Sequence, residues 1–166
     1  ILIGGSGKSS KFKIQDIDNC VKIMNNFKSK YYVNYCFSRR TPEEIKKYII
    51  SNKYKLHSHY PSRNLNPYEE LLKTSDYFII TEDSVGMISD ALNTGKSVYV
   101  VKIKSLKRKL KSFSEFLIKK NYVRIFDGKL EKSSHKPLNE TKRVANLILQ
   151  NFTNDYVPKS TDLDTF

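Results

Sequence analysis

The sequence contains no apolar run near the roughly 20 residues that a membrane-spanning helix requires, and it has only two cysteines in 166 residues. Cys20 and Cys36 do not form a CxxC pair, and both stand in apolar segments. They are therefore expected to be reduced core thiols rather than a disulfide or a metal-binding pair. His57 and His59 share one face of a predicted strand but lack a third ligand, so neither a metal site nor a cofactor is expected.

Acidic residues are also scarce, since 17 Asp and Glu stand against 30 Lys and Arg, which gives a formal net charge of +13. Such a charge favours anionic partners, namely nucleotide phosphates, nucleic acid or an acidic lipid surface. A solvated, lysine-rich surface is expected to be the larger cause of the excess. No RNA-binding aromatic signature is present, which argues against nucleic acid. We expect a cytoplasmic protein, with peripheral contact to a membrane as the alternative.

What the sequence does have is a regular alternation of short apolar runs and amphipathic stretches. It predicts strands at 1–3, 31–37, 55–59, 77–80, 97–101 and 123–126, and helices at 14–27, 42–51, 67–74, 85–94, 106–120 and 140–152. This alternation indicates βαβ units, and hence a Rossmann-like, doubly wound α/β fold with a mainly parallel sheet. We expect residues 1–152 to form one lobe that follows an earlier lobe, and residues 153–166 to form a loose tail.

In such a fold, the turns that follow the strands lie on one edge of the sheet, where α/β proteins bind ligands. The first turn is Gly4-Gly5-Ser6-Gly7-Lys8-Ser9-Ser10, whose glycines let the backbone approach a phosphate. It is neither a P-loop nor a dinucleotide fingerprint, because those motifs need Gly at positions 2 and 10, where this chain has Leu and Ser. A phosphate-contacting turn at Gly4, Gly5 and Ser6 and a plain tight turn remain the alternatives.

The second and third turns both carry helix-start signals, and the second turn also contains two arginines. Thr41 is a predicted N-cap that forms a capping box with Glu44, and Asn66 is a predicted N-cap of the next helix. Capping does not explain Arg39 and Arg40, whose planar guanidinium groups suit a phosphate. A surface ion pair is the alternative role for these arginines.

The fourth turn is more polar than a helix start requires. A buried strand ends in Thr81, and the predicted helix follows at once after Glu82, Asp83 and Ser84. Asp83 or Ser84 is expected to cap this helix, which leaves Glu82 without a structural role. Backbone amides from Ser84 and Val85 onward are candidates for binding a pyrophosphate at the helix N-terminus.

Taken together, the four turns resemble the mitochondrial-fission family named for the elongated-mitochondria mutant of plants, whose bacterial members are predicted nucleoside-diphosphate-sugar epimerases. The resemblance covers positions 3 to about 145. It is carried by Ile3-Gly4-Gly5, Ser38-Arg39-Arg40-Thr41-Pro42, Asn66-Pro67-Tyr68, Thr81-Glu82-Asp83-Ser84-Val85, Met87-Ile88-Ser89, Gly95-Lys96-Ser97-Val98 and Pro137-Leu138-Asn139-Glu140-Thr141. The chain departs from the family pattern at Gly7-Lys8-Ser9-Ser10 and at Asp90, where the family usually has Glu. Position 86, which is Gly in this chain, varies within the family.

That family is similar to the GT-B glycosyltransferases, including the peptidoglycan N-acetylglucosaminyltransferase, whose C-terminal lobe binds the nucleotide-sugar donor. In that transferase a Glu five residues before a helix-ending Gly holds the ribose, and counting back from Gly95 gives Asp90. The resemblance therefore implies a metal-independent lobe that binds a nucleoside-diphosphate sugar in a transferase-like or epimerase-like protein. It assigns no catalytic residue, and it implies that the acceptor site lies mostly on the preceding N-terminal lobe.

A second interpretation is a non-catalytic peripheral membrane adaptor, as the name of the plant family suggests. It depends on the basic character of the fifth predicted helix and its flanks, which would meet anionic lipid. The residues concerned are Lys104, Lys107, Arg108, Lys109, Lys111, Lys119 and Lys120.

Overall fold

The computed structural model describes residues 1–7, 11–27, 30–61, 66–133, 135–138 and 140–155. Positions 8–10 of the first turn, position 139 of the last motif and the 156–166 part of the predicted tail lie outside these ranges. The described strands form one six-stranded sheet in the order β3-β2-β1-β4-β5-β6, and all five neighbouring pairs are parallel. Their bounds are β1 Leu2–Ile3, β2 Asn34–Phe37, β3 Ser58–Tyr60, β4 Tyr77–Thr81, β5 Ser97–Val101 and β6 Arg124–Ile125.

Helices follow every strand, as the alternating pattern predicts. Their bounds are α1 Ile14–Phe27, α2 Glu43–Asn52, α3 Tyr68–Thr74, α4 Val85–Leu92, α5 Arg108–Lys119 and α6 Glu140–Asp155. The predicted Rossmann-like fold with a parallel sheet is therefore confirmed. The helix α6 continues three residues beyond the predicted boundary at 152. No helix in the described part of the chain is long and apolar enough to cross a bilayer.

The two faces of the sheet hold separate hydrophobic clusters, because successive strand side chains point in opposite directions. On β1, Ile3 joins the cluster that packs against α1 and α2, whereas Leu2 joins the cluster beneath α3, α4 and α5. On β5, Tyr99 and Val100 divide between the faces in the same way. The helices thus cover both faces, which leaves the ends of the strands as the accessible edges of the sheet.

Two strands are shifted relative to the sequence pattern. The apolar run at 31–37 pairs only from Asn34 onward, and β3 begins at Ser58 rather than at residue 55. The register explains this shift, because Asn34, Tyr35 and Cys36 pair with residues 58–60 of β3. The edge position of β3 limits its pairing to a single neighbour.

The predicted helix caps are wrong at two positions. The residues preceding α2 and α3 are Pro42 and Pro67, and neither helix has a side-chain capping bond. The hydroxyl of Thr41 instead lies 2.6 Å from the carbonyl oxygen of Gly4, to which it donates. Asn66 accepts a long contact of 3.9 Å from the Cys36 thiol. Thr41 therefore connects two neighbouring turns and Asn66 contacts strand β2, and neither side chain satisfies the amides of its own helix.

Candidate functional site

The order of the strands creates a crevice at one edge of the sheet. From β1 the chain builds outward through β2 to β3, and from β4 it builds outward through β5 to β6, so the direction reverses between β1 and β4. Ligands of open α/β sheets bind at such a reversal, beyond the carboxyl ends of the strands. The four turns singled out by the sequence follow β1, β2, β3 and β4, so they share this edge.

Two hydrogen bonds join the turn after β1 to the turn after β4. The amide of Gly4 donates to the hydroxyl oxygen of Thr81 at 2.7 Å, and the amide of Gly5 donates to Oδ2 of Asp83 at 2.8 Å. Both bonds are buried, which increases their value because no water competes for the partners. The two turns on either side of the reversal therefore form one connected unit.

The glycines are required because the turns pass so close to one another. A Cβ atom at position 4 would lie 2.5 Å from Oδ2 of Asp83, and a Cβ at position 5 would overlap the backbone carbonyl of Arg40. Gly4 and Gly5 thus allow three turns to meet, and both of their amides point into the protein. Their contact with a phosphate stays a prediction. The next residue, Ser6, is half-buried and its hydroxyl oxygen accepts the amide of Phe12 at 3.1 Å.

The turn after β2 is held by hydroxyl groups. Thr41 is buried, and besides the Gly4 carbonyl its hydroxyl lies 3.0 Å from the carbonyl oxygen of Ile3. Ser38 accepts the amide of Arg40 at 3.2 Å. This arrangement leaves the side chains of Arg39 and Arg40 exposed. A Cβ at Gly7 would lie 3.8 Å from Nη1 of Arg40, so this guanidinium lies over the turn after β1.

Asp83 is the most unusual side chain of this edge, because it is a carboxylic acid that is only 8% exposed. Burial raises the pKa of Asp83 above its ordinary value, and the Thr81 hydroxyl, the Gly5 amide and the charge of Arg40 oppose that rise. Its Oδ1 is buried and has no hydrogen-bond partner in the described part of the chain. Asp83 is therefore a buried acid whose negative charge is only partly compensated.

Glu82 makes buried contacts with partners other than those of Asp83. It is 1% exposed, forms an ion pair with Lys102, and accepts the amide of Ile103 through Oε2 at 3.1 Å. These contacts connect the turn after β4 to the loop after β5. Glu82 thus has a structural role that its local sequence does not indicate, and its contact with a nucleotide stays a prediction.

The first turn of α4 opens onto the edge. Ser84 precedes the helix and is 9% exposed, but its side chain makes no capping hydrogen bond. The amides of Val85, Gly86 and Met87 belong to the first turn of the helix, where no acceptor is available within the helix itself. A Cβ at Gly86 would meet no atom within 4 Å, so the space beside this turn is open. Donors that converge on open space at a helix N-terminus are suited to an anion.

Asp90 lies further along α4, and it has a partner on another helix. The side chain is exposed and accepts a hydrogen bond of 2.8 Å from the hydroxyl of Tyr68, the first residue of α3. Tyr68 is half-buried, and its ring packs against the cluster beneath α3 and α4. The turn after β3 is therefore connected to α4 at Asp90.

Sequence patterns missed four residues of this arrangement, namely Thr41 in its linking role, Tyr68, Thr81 and Lys102. A usable signal existed for Thr41, Tyr68 and Thr81, because all three stand in motifs that carry the family resemblance. Among the described residues, no group of three His, Cys, Asp or Glu side chains is arranged to hold a metal ion.

Comparison with known proteins gives consistent matches. Residues 1–152 match the model of the family described as mitochondrial fission ELM1. The uncharacterized protein RP120 of Rickettsia prowazekii (strain Madrid E) is 35% identical over 164 residues, which cover 89% of this chain and 45% of that protein. The mitochondrial fission protein ELM1 of Arabidopsis thaliana is 42% identical over 86 residues, which cover 50% of this chain and 20% of that protein. The chain thus spans less than half the length of either relative.

Proposed function

The chain belongs to the mitochondrial fission ELM1 family, and from this membership and the geometry of the sheet edge we propose that it binds a nucleoside-diphosphate sugar. In this proposal the chain is the nucleotide-binding lobe of a longer, glycosyltransferase-like or epimerase-like protein. A preceding lobe supplies the acceptor site.

The observation that carries the proposal is the open, uncapped first turn of α4, together with Arg40, whose charge reaches Asp83 just before that helix. The amides of Val85, Gly86 and Met87 offer partial positive charge to a diphosphate, and the exposed guanidinium of Arg40 offers a full charge. The buried carboxyl of Asp83 precedes this helix by two residues, burial raises its pKa, and the charge of Arg40 acts on it in the opposite direction. A diphosphate held by amides and a guanidinium needs no metal ion.

Calorimetric titration of the chain with UDP, ADP, GDP and UDP-glucose tests the proposal, with inorganic pyrophosphate as the control. We expect saturable heat from at least one nucleoside diphosphate, and weaker binding of pyrophosphate because it lacks the nucleoside. Thermal unfolding should shift upward with the same compound, since binding to the folded state alone stabilises it. No heat from any nucleotide at millimolar concentration would refute nucleotide binding by this chain.

A second candidate function, peripheral attachment to an anionic membrane, has support from one surface. The seven basic residues on and around α5 are all exposed, and among the described residues they form a single ion pair, between Lys111 and Glu115 at 4.0 Å. A basic surface of this kind attracts acidic lipids by roughly 1 kcal/mol per charge near the surface. Sedimentation with phosphatidylcholine vesicles that contain phosphatidylserine, compared with pure phosphatidylcholine, tests it. Retention on the acidic vesicles alone, without any nucleotide binding, would favour this second function.

A further inference from the structure

The contact between Tyr68 and Asp90 joins α3 to α4 in a way that local sequence patterns do not reveal. The Tyr68 hydroxyl donates to Oδ2 of Asp90 across 22 residues of sequence. In the described part of the chain this is the one hydrogen bond that Asp90 makes, so Oδ1 is available to accept from a molecule in solution. Burial raises the pKa of Tyr68, and the bond to Asp90 raises it further, so this hydroxyl keeps its proton and acts as the donor.

Tyr68, which contacts Asp90, also borders an open cavity of about 480 Å³ at the start of α3. The lining comes from α3 and the two residues before it rather than from α4, and the volume is within the range of small-molecule sites. The cavity is lined by Asn66, Pro67, Tyr68, Glu69, Glu70 and Lys73. The acidic side chains of this lining do not suit a diphosphate, whereas the tyrosine and the amide suit an uncharged base and sugar.

The position of Asp90 on α4 agrees with a site in which the diphosphate and the nucleoside bind at different places. A helix rises 1.5 Å per residue, so Asp90 lies about 7.5 Å along the axis from Val85 in the first turn. A diphosphate bound at the first turn therefore has its nucleoside, not its phosphates, near Asp90. Carboxylates are the groups with which α/β nucleotide sites commonly accept hydrogen bonds from ribose hydroxyls.

We propose that Tyr68 is a positioning residue for ribose: its hydroxyl fixes Oδ2 of Asp90 so that Oδ1 accepts from a ribose hydroxyl of the bound nucleotide. This inference rests on the proposed nucleotide binding and adds to it a selectivity for ribose. A fixed carboxylate recognises a hydroxyl better than a mobile one, because the rotamer freedom of the side chain is already lost before binding. The site then prefers ribonucleoside over 2′-deoxyribonucleoside diphosphates.

The experiment compares UDP, ADP and GDP with their 2′-deoxy counterparts on the wild type, on Tyr68→Phe and on a matched control. The control is Tyr48→Phe, which removes a similar tyrosine–aspartate bond, to Asp18, on the opposite face of the sheet. We expect the wild type and Tyr48→Phe to prefer the ribonucleotide by about tenfold, the size of one hydrogen bond to a charged group. Tyr68→Phe should reduce the preference to about threefold by weakening ribonucleotide binding alone.

The outcomes distinguish a failure of this inference from a failure of the proposed nucleotide binding. Nucleotide binding whose ribose preference is unchanged in Tyr68→Phe overturns the role of Tyr68 and leaves the proposed function standing. Absence of binding by every nucleotide overturns both. A second measurement uses Asp90→Ala, which should lose the preference for ribonucleotides. Adding Tyr68→Phe to Asp90→Ala should change nothing more, since the two residues act as one unit. Further loss in the double variant contradicts the inference.

Discussion

The carboxylate of Asp83 fills the space that a side chain at position 4 would occupy, and its Oδ2 accepts the amide of Gly5 at 2.8 Å. One acidic side chain therefore fixes the first turn of the chain to the turn that precedes α4. The geometry of the crevice depends on this contact, and so does the electrostatic environment of any anion that binds there.

The first prediction concerns the close approach of these turns. Gly5→Ala should lower the free energy of unfolding by about 2 kcal/mol or more, because the new methyl group would overlap the backbone carbonyl of Arg40, which cannot move like a flexible side chain. Gly86→Ala is the matched control, since its methyl group meets no atom within 4 Å. That substitution should raise stability by up to about 1 kcal/mol. Urea unfolding measures both, and equal effects would contradict the packing argument.

The second prediction concerns the buried acid. Because the folded protein raises the pKa of Asp83, it binds protons more strongly than the unfolded chain does, so ionisation of Asp83 costs stability as the pH rises above 3.8. Asp83→Asn keeps an acceptor for Gly5 but does not ionise. The stability of Asp83→Asn relative to the wild type should therefore increase as the pH is raised from below 3.8 toward neutrality.

Asp18→Asn is the control for the pH experiment, because folding shifts the pKa of Asp18 in the direction opposite to that of Asp83. Hydrogen bonds from Lys22 and Tyr48 lower the pKa of Asp18, so ionisation of this carboxyl favours folding. The Asp18→Asn variant should lose stability relative to the wild type as the pH rises through the same region. Parallel pH curves for Asp83→Asn and the wild type would show that Asp83 titrates normally in the folded protein.

The third prediction concerns the ion pair behind the crevice. Lys102→Ala leaves Glu82, which is 1% exposed, without its partner charge. Because the Lys102 side chain is 39% exposed, we expect a loss of about 2 kcal/mol in the free energy of unfolding, less than for a fully buried pair. Replacing Glu82 by Gln in the same variant should recover part of that loss, because the neutral amide removes the uncompensated charge. Lys22→Ala breaks an exposed pair with Asp18 and should change the free energy of unfolding much less. A Lys102→Ala effect as small as that of Lys22→Ala would contradict a structural role for the pair.

Local sequence patterns were sufficient for the fold and for the edge that carries the crevice. Alternating apolar runs predicted α1 and β5 with their observed bounds and placed the start of α4 at Val85. They failed where a side chain has two possible sets of partners. The hydroxyl of Thr41 can serve the amides of its own helix or the carbonyls of a neighbouring turn, and only the adjacency of β1 and β2 decides between them.

The same limit applies to the charged residues of the crevice. The structural role of Glu82 does not follow from its neighbours in sequence, because its partner Lys102 lies 20 residues away. Tyr68 and Asp90 are separated by 22 residues. Such pairs follow from the order of the strands in the sheet, which the alternation of helices and strands does not specify.

The last prediction separates the two adjacent arginines. Both side chains are exposed, but the charge of Arg40 reaches Asp83 and its guanidinium lies over the turn after β1. Arg40→Ala should therefore weaken the binding of a nucleoside diphosphate by about ten- to a hundredfold, which corresponds to the loss of one charge-assisted contact. Arg39→Ala is the matched control, with an expected change of less than about threefold. Arg40→Lys should recover only part of the affinity, since Lys keeps the charge but loses the planar pair of donors.

All three variants should unfold at nearly the wild-type temperature, because neither side chain is buried. Calorimetric titration with the nucleotide that binds the wild type most tightly measures these differences. If Arg40→Ala binds as tightly as the wild type while its fold is intact, Arg40 does not contact the diphosphate, and the first turn of α4 alone must account for anion binding.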